Sequence, residues 1–425
     1  MRKVSILMFA LLFIFSGRQM VLAQRWSNGT DAPINVYSFT ETVNTAPELV
    51  QIFYNTQGEY FRDPRAPRFI LTDREGKWGL GIGGYVMARA EYDFAGVTNN
   101  IDFLPSAIKR RNGPNNQIQM DITTSTVFLK LVGRSRLFGD FVVYTSGDWR
   151  GAGNTFHLLN AYMSNKYVTF GYTTGSFMDP AAYPATVDYG GPCGMTFYRT
   201  TQLAVRYAFD WGLSMGVALE APNVNADENE FVSIGSQELP DIPIFIKYQF
   251  YKNTHLRLAA IMRDITYRDL VNNNNKHEVA WGAQASALVT IGNFQLSGQY
   301  TIGEGIGTLI NDISNIGIDL VPTPDVAGSM MRPLTDAWFA SVHYNINPMM
   351  FVSATYSQTN IHSCNNLGSS APAMYKRGQY LAANMFVNAS SNLQLGIEYL
   401  HGWRMDFSDK MYNSNRVNIA ARYNF

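Results

Sequence analysis

His343 and Ser341 are the residues whose types come nearest to a hydrolytic pair, because a serine nucleophile needs a histidine base and a polar third member. Both fall on the same side of an alternating stretch, and Asn345 follows on that side. Same-side residues two positions apart along a strand are separated by roughly 7 Å, which is too far for the hydrogen bond that activates the serine. We therefore expect no enzyme activity, and a hydrolase acting on envelope lipids is the weakest alternative.

Gly79, Gly81 and Gly84 have the spacing of a dinucleotide-binding fingerprint. That fingerprint requires a strand followed by a helix whose N-terminus holds the phosphates, and here no helix follows. Glycines inside a strand more often leave room for another part of the chain. We expect them to admit a loop, the N-terminal segment or a neighbouring subunit rather than a nucleotide.

The histidines show no paired spacing of the kind that metal sites use. They are His157, His255, His277, His343, His362 and His401. We expect neither a metal nor a cofactor. A formal net charge of zero likewise gives no argument for a nucleic-acid partner.

Charged and apolar residues alternate along much of the chain. In the stretch from Lys77, the charged Arg89, Glu91 and Asp93 share one parity, whereas Tyr92 and Phe94 share the other. A period of two indicates a β-strand. A strand with one lipid-facing side and one aqueous side accounts for three charges on one face better than a strand in a soluble core. The last eleven residues, 415–425, repeat this pattern.

The N-terminus has the features of an export signal over residues 1–23. Arg2 and Lys3 precede the apolar run 6–15, and a small-residue cleavage site follows at Val21-Leu22-Ala23. The mature chain contains no apolar stretch of about 20 residues that would form a transmembrane helix. Residues 24–76 are polar and interrupted by prolines, so we expect a periplasmic extension with at most one short helix over 47–54.

The alternation recurs in sixteen stretches separated by connections that are short and long in turn. They cover 77–94, 116–132, 137–148, 155–164, 167–178, 197–209, 212–222, 242–251, 255–268, 278–291, 293–308, 336–346, 349–360, 378–389, 392–406 and 415–425. This arrangement predicts an all-β fold over 77–425, a 16-stranded antiparallel transmembrane β-barrel with short periplasmic turns and long extracellular loops. The strand from Gln117 changes parity near Val127, and 137–148 and 155–164 alternate poorly, which a bulge or a covering subunit would explain.

A barrel of this size encloses a channel that its own wall side chains cannot fill. We expect the third long loop, 179–196, to narrow it, with Asp179, Tyr183, Asp188 and Tyr189 at the constriction. Parity places a mixed set of charges on the inner wall: Arg89, Glu91, Asp93, Asp121, Arg206, Glu220, Lys247, Arg257, Arg263, Glu278, Glu398, Arg404, Arg416 and Arg422. Fixed charges bias which ions enter a pore, and the slight basic excess predicts at most weak anion preference. Alternatively, many of these charges pair with each other.

Two functions fit this arrangement. The first is a porin that passes small hydrophilic solutes by passive diffusion, and the second is a structural or adhesin-type barrel whose lumen is occluded. Cys193 and Cys364, which both fall in long loops, could form one disulfide or remain two unrelated thiols.

Several stretches resemble DcaP-like porins of the Bacteroidota type. They are Pro67-Arg68-Phe69-Ile70-Leu71-Thr72-Asp73, the glycine-rich run from Gly79 to Tyr85, Asn99-Asn100-Ile101-Asp102-Phe103 with Ser106-Ala107-Ile108, and Val187-Asp188-Tyr189-Gly190-Gly191-Pro192. The resemblance implies a homotrimer of sixteen-stranded barrels, surrounded by lipid in the outer membrane of a Gram-negative bacterium. It also implies that the terminal strand, with Tyr423 and Phe425, carries the signal read by the barrel-assembly machinery.

Overall fold

The computed structural model describes residues 35–38, 47–73, 77–98, 101–110, 116–136, 139–362 and 367–425. The signal peptide predicted over 1–23 lies outside these residues. Among the helices in the described ranges, none has the length and apolar character needed to cross a membrane.

Sixteen antiparallel strands form one closed sheet. They are β1 (Trp78–Phe94), β2 (Gln117–Asp121 and Thr126–Ser135), β3 (Gly139–Asp148), β4 (His157–Asn165), β5 (Val168–Thr174), β6 (Arg199–Ala208), β7 (Leu213–Glu220), β8 (Ile242–Tyr251), β9 (Thr254–Asp269), β10 (Asn274–Ile291), β11 (Phe294–Glu304), β12 (Leu334–Asn347), β13 (Met350–Ile361), β14 (Tyr375–Asn388), β15 (Leu393–Asp406) and β16 (Met411–Asn424). The predicted fold class is confirmed.

Each strand turns one parity outward and the other inward. In β10, Val279 and Trp281 are exposed on the outer surface, whereas Gln284 and Ser286 are buried on the inner side. The outer surface is therefore apolar, as lipid requires, and every wall strand has two hydrogen-bonded neighbours, so that no open edge faces the membrane.

Local irregularities explain the stretches whose parity was unclear. The pairing of β3 with β4 shifts register between Ser146 and Gly147, which is a bulge in the wall. Strand β2 is interrupted between Asp121 and Thr126, so its two parts pair with β1 separately. The change of parity near Val127 follows from this interruption.

Strand β16 closes the barrel against β1, in register from Asn415 opposite Phe94 to Asn424 opposite Tyr85. Phe425 and Gly84 add two backbone hydrogen bonds of 3.0 and 3.2 Å. Beyond this point β1 pairs instead with the short strand Phe69–Thr72, and the strand Asn35–Ser38 runs parallel to that strand. Both ends of the chain therefore contribute to one seam.

The helix α1 (Pro47–Asn55) lies inside the wall. Its apolar residues Leu49, Ile52 and Phe53 recur at helical spacing and pack against the inward-facing Val132 and Val142. We expected a periplasmic extension over 24–76, but the part described from 47 to 68 contacts the inner surface of the barrel. We call residues 47–68 the N-terminal segment.

The glycines of β1 make this packing possible. A Cβ atom on Gly81 would lie 2.6 Å from the Phe53 ring and 2.4 Å from Pro67, and one on Gly79 would lie 3.5 Å from the same ring. Of the occupants considered for the glycine stretch, the N-terminal segment is the one that fills the space beside these two positions.

Candidate pore constriction

The loop between β5 and β6, residues 175–198, folds into the barrel, and we call it L3. Asp179 anchors its start, with its carboxylate 2.9 Å from Nε2 of His255 and 2.5 Å from Oγ of Ser286. Burial alone would raise the pKa of Asp179, but the hydrogen bond and charge of His255 outweigh burial and lower it to about 2. L3 is thereby held to β9 and β10 by a buried acidic group.

Asp188 and Glu398 hold the middle of L3. The amides of Val187 and Asp188 donate to the Glu398 carboxylate over 3.0 and 2.7 Å. The Asp188 carboxylate accepts hydrogen bonds from the amides of Phe103 and Gly191, each 3.0 Å long. Burial and the neighbouring Asp102 charge raise the pKa of Asp188. Asp188 and Glu398 were both predicted as site residues, and both carboxylates accept hydrogen bonds from backbone amides of the protein.

The two predicted tyrosines occupy different surroundings. Tyr183 is buried, donates its hydroxyl to the Thr196 carbonyl and packs edge-on against Tyr60 and Phe339. Tyr189 instead lies among guanidinium groups.

Three arginines surround the Tyr189 ring. The guanidinium carbons of Arg62 and Arg150 lie 4.8 Å from its centroid, and that of Arg89 lies 5.6 Å away. These are cation–π distances. Three guanidinium groups therefore surround the Tyr189 ring of L3.

A second loop, L6 (305–333), braces L3 from within. The Asn311 side chain donates to the carbonyls of Gly190 and Pro192 over 2.9 and 3.0 Å, and Phe197 donates its amide to the Leu309 carbonyl over 2.9 Å. The strand pattern predicts a long connection here, but sequence reasoning missed that the loop folds inward against L3. Its signal was an apolar run unsuited to a solvated loop, and the buried members of that run are Ile306, Leu309, Ile310, Ile313, Ile318, Leu320 and Val321.

Most of the predicted pore-lining charges are paired and buried. Arg416 bonds Asp93 at 2.6 Å and Glu91 at 2.9 Å, and Arg89 bonds Asp121 at 2.8 Å. These ion pairs join β16, β1 and β2 across the closing seam. The alternative that charges satisfy one another describes this part of the wall.

The remaining paired charges fasten loops. Arg263 bonds Asp241 and the Gly305 carbonyl, and Arg257 bonds the Phe177 carbonyl. Glu220 accepts from the Ser176 amide and the Tyr198 hydroxyl. Further pairs lie near the loop ends: Glu278 with Arg332, and Arg404 with Asp406 and the Ser106 carbonyl.

Three predicted basic residues face the N-terminal segment or open space. Arg422 donates to the carbonyls of Phe61 and Asp63, over 3.3 and 3.0 Å. Lys247 lies 3.7 Å from Glu59, and Arg206 is exposed toward a cavity.

Two cavities flank the N-terminal segment. The larger, about 630 Å³, lies between this segment and the wall of β2 to β6, and Lys130, Arg199 and Arg206 line it. The second, about 240 Å³, is lined by Lys247, Lys252 and His255. A third space of only about 30 Å³ lies among Tyr60, Arg62, Tyr85, Tyr189, Asn160 and Arg199.

Cys193 is buried, with its sulfur 3.4 Å from Oγ of Ser357 and 3.8 Å from the Gly378 carbonyl. Cys364, the other cysteine in the two alternatives of one disulfide or two unrelated thiols, lies outside the described residues. Burial raises the pKa of the Cys193 thiol. Within the described part of the chain, this sulfur holds L3 against β13 and β14.

The candidate hydrolytic residues have other partners. Nε2 of His343 lies 3.0 Å from Oδ1 of Asn345, and its ring packs against Phe351. The Ser341 hydroxyl donates to the Ala354 carbonyl over 3.2 Å. Both side chains are therefore engaged in packing and hydrogen bonds along the wall.

Comparison with known proteins agrees with this architecture. The DcaP outer membrane protein family model matches residues 77–297. The DcaP channel of Acinetobacter baumannii superposes with a TM-score of 0.72 at 17% identity, covering 83% of this chain and 99% of that chain. An anion-selective porin from Comamonas acidovorans has a TM-score of 0.54 at 11% identity, with 82% and 100% covered. OprB of Pseudomonas putida has a TM-score of 0.52 at 10% identity, and the match covers 81% of this chain and 94% of that chain.

No curated protein sequence matches the chain. The solved structures establish the fold, and the family model covers more than half of the sequence. The predicted family and location are confirmed: the chain belongs to the DcaP outer membrane protein family and is a porin-type channel of the Gram-negative outer membrane.

Proposed function

We propose that this channel passes small hydrophilic solutes by passive diffusion through a water-filled pore narrowed by L3. The observation that carries the proposal is the 630 Å³ cavity beside L3, whose lining includes Lys130, Arg199 and Arg206. Water-filled space bounded by fixed charge is what a diffusion pore requires. No catalytic step is part of this function.

The charge of that cavity favours anions modestly. Its basic lining residues are Arg65, Lys130, Lys166, Arg199 and Arg206, and its acidic ones are Glu59, Asp63 and Asp140. A basic excess in a confined space raises the local concentration of anions. The predicted weak anion preference therefore extends to the cavity itself.

We infer that the protein is a homotrimer inserted by the barrel-assembly machinery. A trimer form is known for OmpT of Vibrio cholerae, which shares the fold at 10% identity and a TM-score of 0.50. The terminal strand ends in Tyr423 and Phe425, both exposed outward at the seam. Crosslinking in native membranes would give a trimer band, and a single band at the monomer position would contradict the assignment.

Reversal potential across a planar bilayer in a salt gradient tests the pore. We expect stepwise channels with weak anion preference, shifted toward cations by Arg206→Ala. Asp188→Ala should alter selectivity through release of L3. Unchanged selectivity in both variants would refute a constriction built around L3.

One observation favours the competing function of an occluded barrel. The N-terminal segment, L3 and L6 fill much of the lumen, and the space between the segment and L3 is about 30 Å³. Absence of stepwise channels from correctly folded protein would support a structural or adhesin-type barrel and exclude the porin.

A further inference from the structure

The N-terminal segment is fixed inside the barrel on both sides of residues 60–63. At the end of α1, the Lys130 ammonium donates to the carbonyls of Thr56 and Phe53 over 2.8 and 3.4 Å. A cation placed on the last carbonyls of a helix stabilises its C-terminus. At the other end, Arg65 and Arg68 bond Ser391 and Asn392, in the turn between β14 and β15.

The middle of the segment contacts L3 directly. Arg62 donates to Oγ1 of Thr186 over 2.5 Å and to the Asp188 carbonyl. Tyr60 lies 5.5 Å from the ring of Tyr183. L3 and the N-terminal segment are therefore in direct contact and together form a continuous surface inside the barrel.

Aromatic packing and the closing strand hold the same residues from the opposite side. The Phe61 ring lies 5.2 Å from Phe386 and 6.1 Å from Phe351, which are inward-facing residues of β14 and β13. Arg422 of β16 binds the backbone on both sides of Arg62. Residues 60–63 are thus clamped between L3 and the wall.

The smallest of the three cavities lies where this clamp meets the opposite wall. Its volume of about 30 Å³ has room for about one or two water molecules. Tyr60 and Arg62 come from the segment, Tyr189 from L3, and Tyr85 and Asn160 from the barrel wall. Removing either the segment or L3 would open this space.

We propose that residues 47–68 are a resident inner wall of the pore and that Arg62 is a specificity-determining residue of the constriction. The narrowest passage is then made jointly by this segment and L3, so the chain supplies its own restriction from two separate places. Arg62 contributes both positive charge and bulk to the passage, because its guanidinium carbon lies 4.8 Å from the Tyr189 ring centroid. It lines the cavity together with Asp63 and Arg199. This inference rests on the proposed diffusion function.

Single-channel recording of the full protein and two variants tests it. Deleting residues 47–66, which leaves the wall strand Phe69–Thr72 in place, should raise conductance about twofold or more, since a pore of this strand number is wide when unobstructed. Arg62→Ala should raise conductance less and move the reversal potential toward cations. Arg268→Ala is the matched control, since Arg268 is exposed at the far end of β9 and bonds Asn275.

A thiol-labelling arm keeps the test independent of whether the deletion folds. The Glu59 side chain is 65% exposed within the barrel and borders both larger cavities. A cationic thiol reagent should reduce the conductance of Glu59→Cys and leave the unsubstituted protein unchanged.

The outcomes separate this inference from the diffusion function. A conducting parent protein with no change in the deletion, in Arg62→Ala or in labelled Glu59→Cys would overturn the inner wall and leave the porin intact. A silent parent protein whose deletion conducts would overturn both passive diffusion and the specificity role of Arg62, because the segment would then be a plug that closes the pore. Silence in every folded form would overturn both.

Discussion

The two sides of the lumen use the same alternating sequence for different purposes. Along β9 to β16 and β1, inward charges are buried against L3, L6 and one another, as Arg416, Glu398 and Arg263 show. Along β2 to β6, Lys130 supports the N-terminal segment and Arg206 faces the cavity. A charge that parity places inside thus becomes a structural bond where a loop or the N-terminal segment covers it, and a pore charge where neither does.

Arg416→Ala should produce the largest effect, on the covered side. It leaves Asp93 buried without its cation and removes one of the two cations beside Glu91, which keeps Arg89 at 3.4 Å. Breaking a buried pair in this way costs about 3–5 kcal/mol of unfolding free energy. Denaturant unfolding in detergent, followed by tryptophan fluorescence, measures this loss. Arg416→Lys keeps the charge but loses the bidentate geometry. Its unfolding free energy should therefore lie between those of Arg416→Ala and the unsubstituted protein. A loss below about 1 kcal/mol in the alanine variant would remove the distinction between the sides.

Glu398→Ala should rank second, because it leaves the amides of Val187 and Asp188 buried without an acceptor. Each such amide costs about 1–3 kcal/mol, and release of L3 should make the channel current noisy. Thermal unfolding and single-channel recording measure the two consequences. In Glu398→Gln one acceptor oxygen remains, but an NH2 group replaces the other, so this variant should be less stable than the unsubstituted protein and more stable than Glu398→Ala. A quiet channel of unchanged stability would show that L3 is held elsewhere.

Arg206→Ala should change selectivity without changing stability. Its side chain is exposed toward the cavity, so we expect the unfolding free energy to stay within about 0.5 kcal/mol while the reversal potential moves toward cations. In Arg416→Ala we expect the converse, a lower unfolding free energy with little change in reversal potential. Destabilisation by Arg206→Ala would place it with the structural charges.

The smallest effect on ion preference should come from protonation of the Asp63 carboxylate. Burial raises its pKa from 3.8 to about 6, although the Tyr60 amide and the charges of Arg199 and Arg422 oppose the rise. Its contribution to stability is therefore complete below pH 3.8 and lost as pH rises through about 6. Protonation between pH 7 and 5 also removes a negative charge beside the passage. Anion preference should therefore increase as pH falls from 7 to 5. In Asp63→Asn it should not change over that range.

The sequence predicted the wall well because each strand's period depends on local residue order. The positions of Arg89, Glu91 and Asp93 on the inner side followed from parity alone. The partners of these residues did not follow, because Arg416 is 323 residues away from Asp93 in the chain. The inward fold of L6 and the placement of α1 depend on tertiary contacts, and the clue was apolar residues where solvated chain was expected.

Strand β1 is the shared partner of both chain ends, since Phe69–Thr72 and β16 bond successive parts of it. The seam therefore joins strands that lie more than 300 residues apart in the sequence, and it can form only after β16 has been exported. Until then the edges of β1 and β16 are open, with unpaired backbone groups that favour aggregation. Closure of the barrel therefore depends on the pairing of two strands that are synthesised at widely separated times.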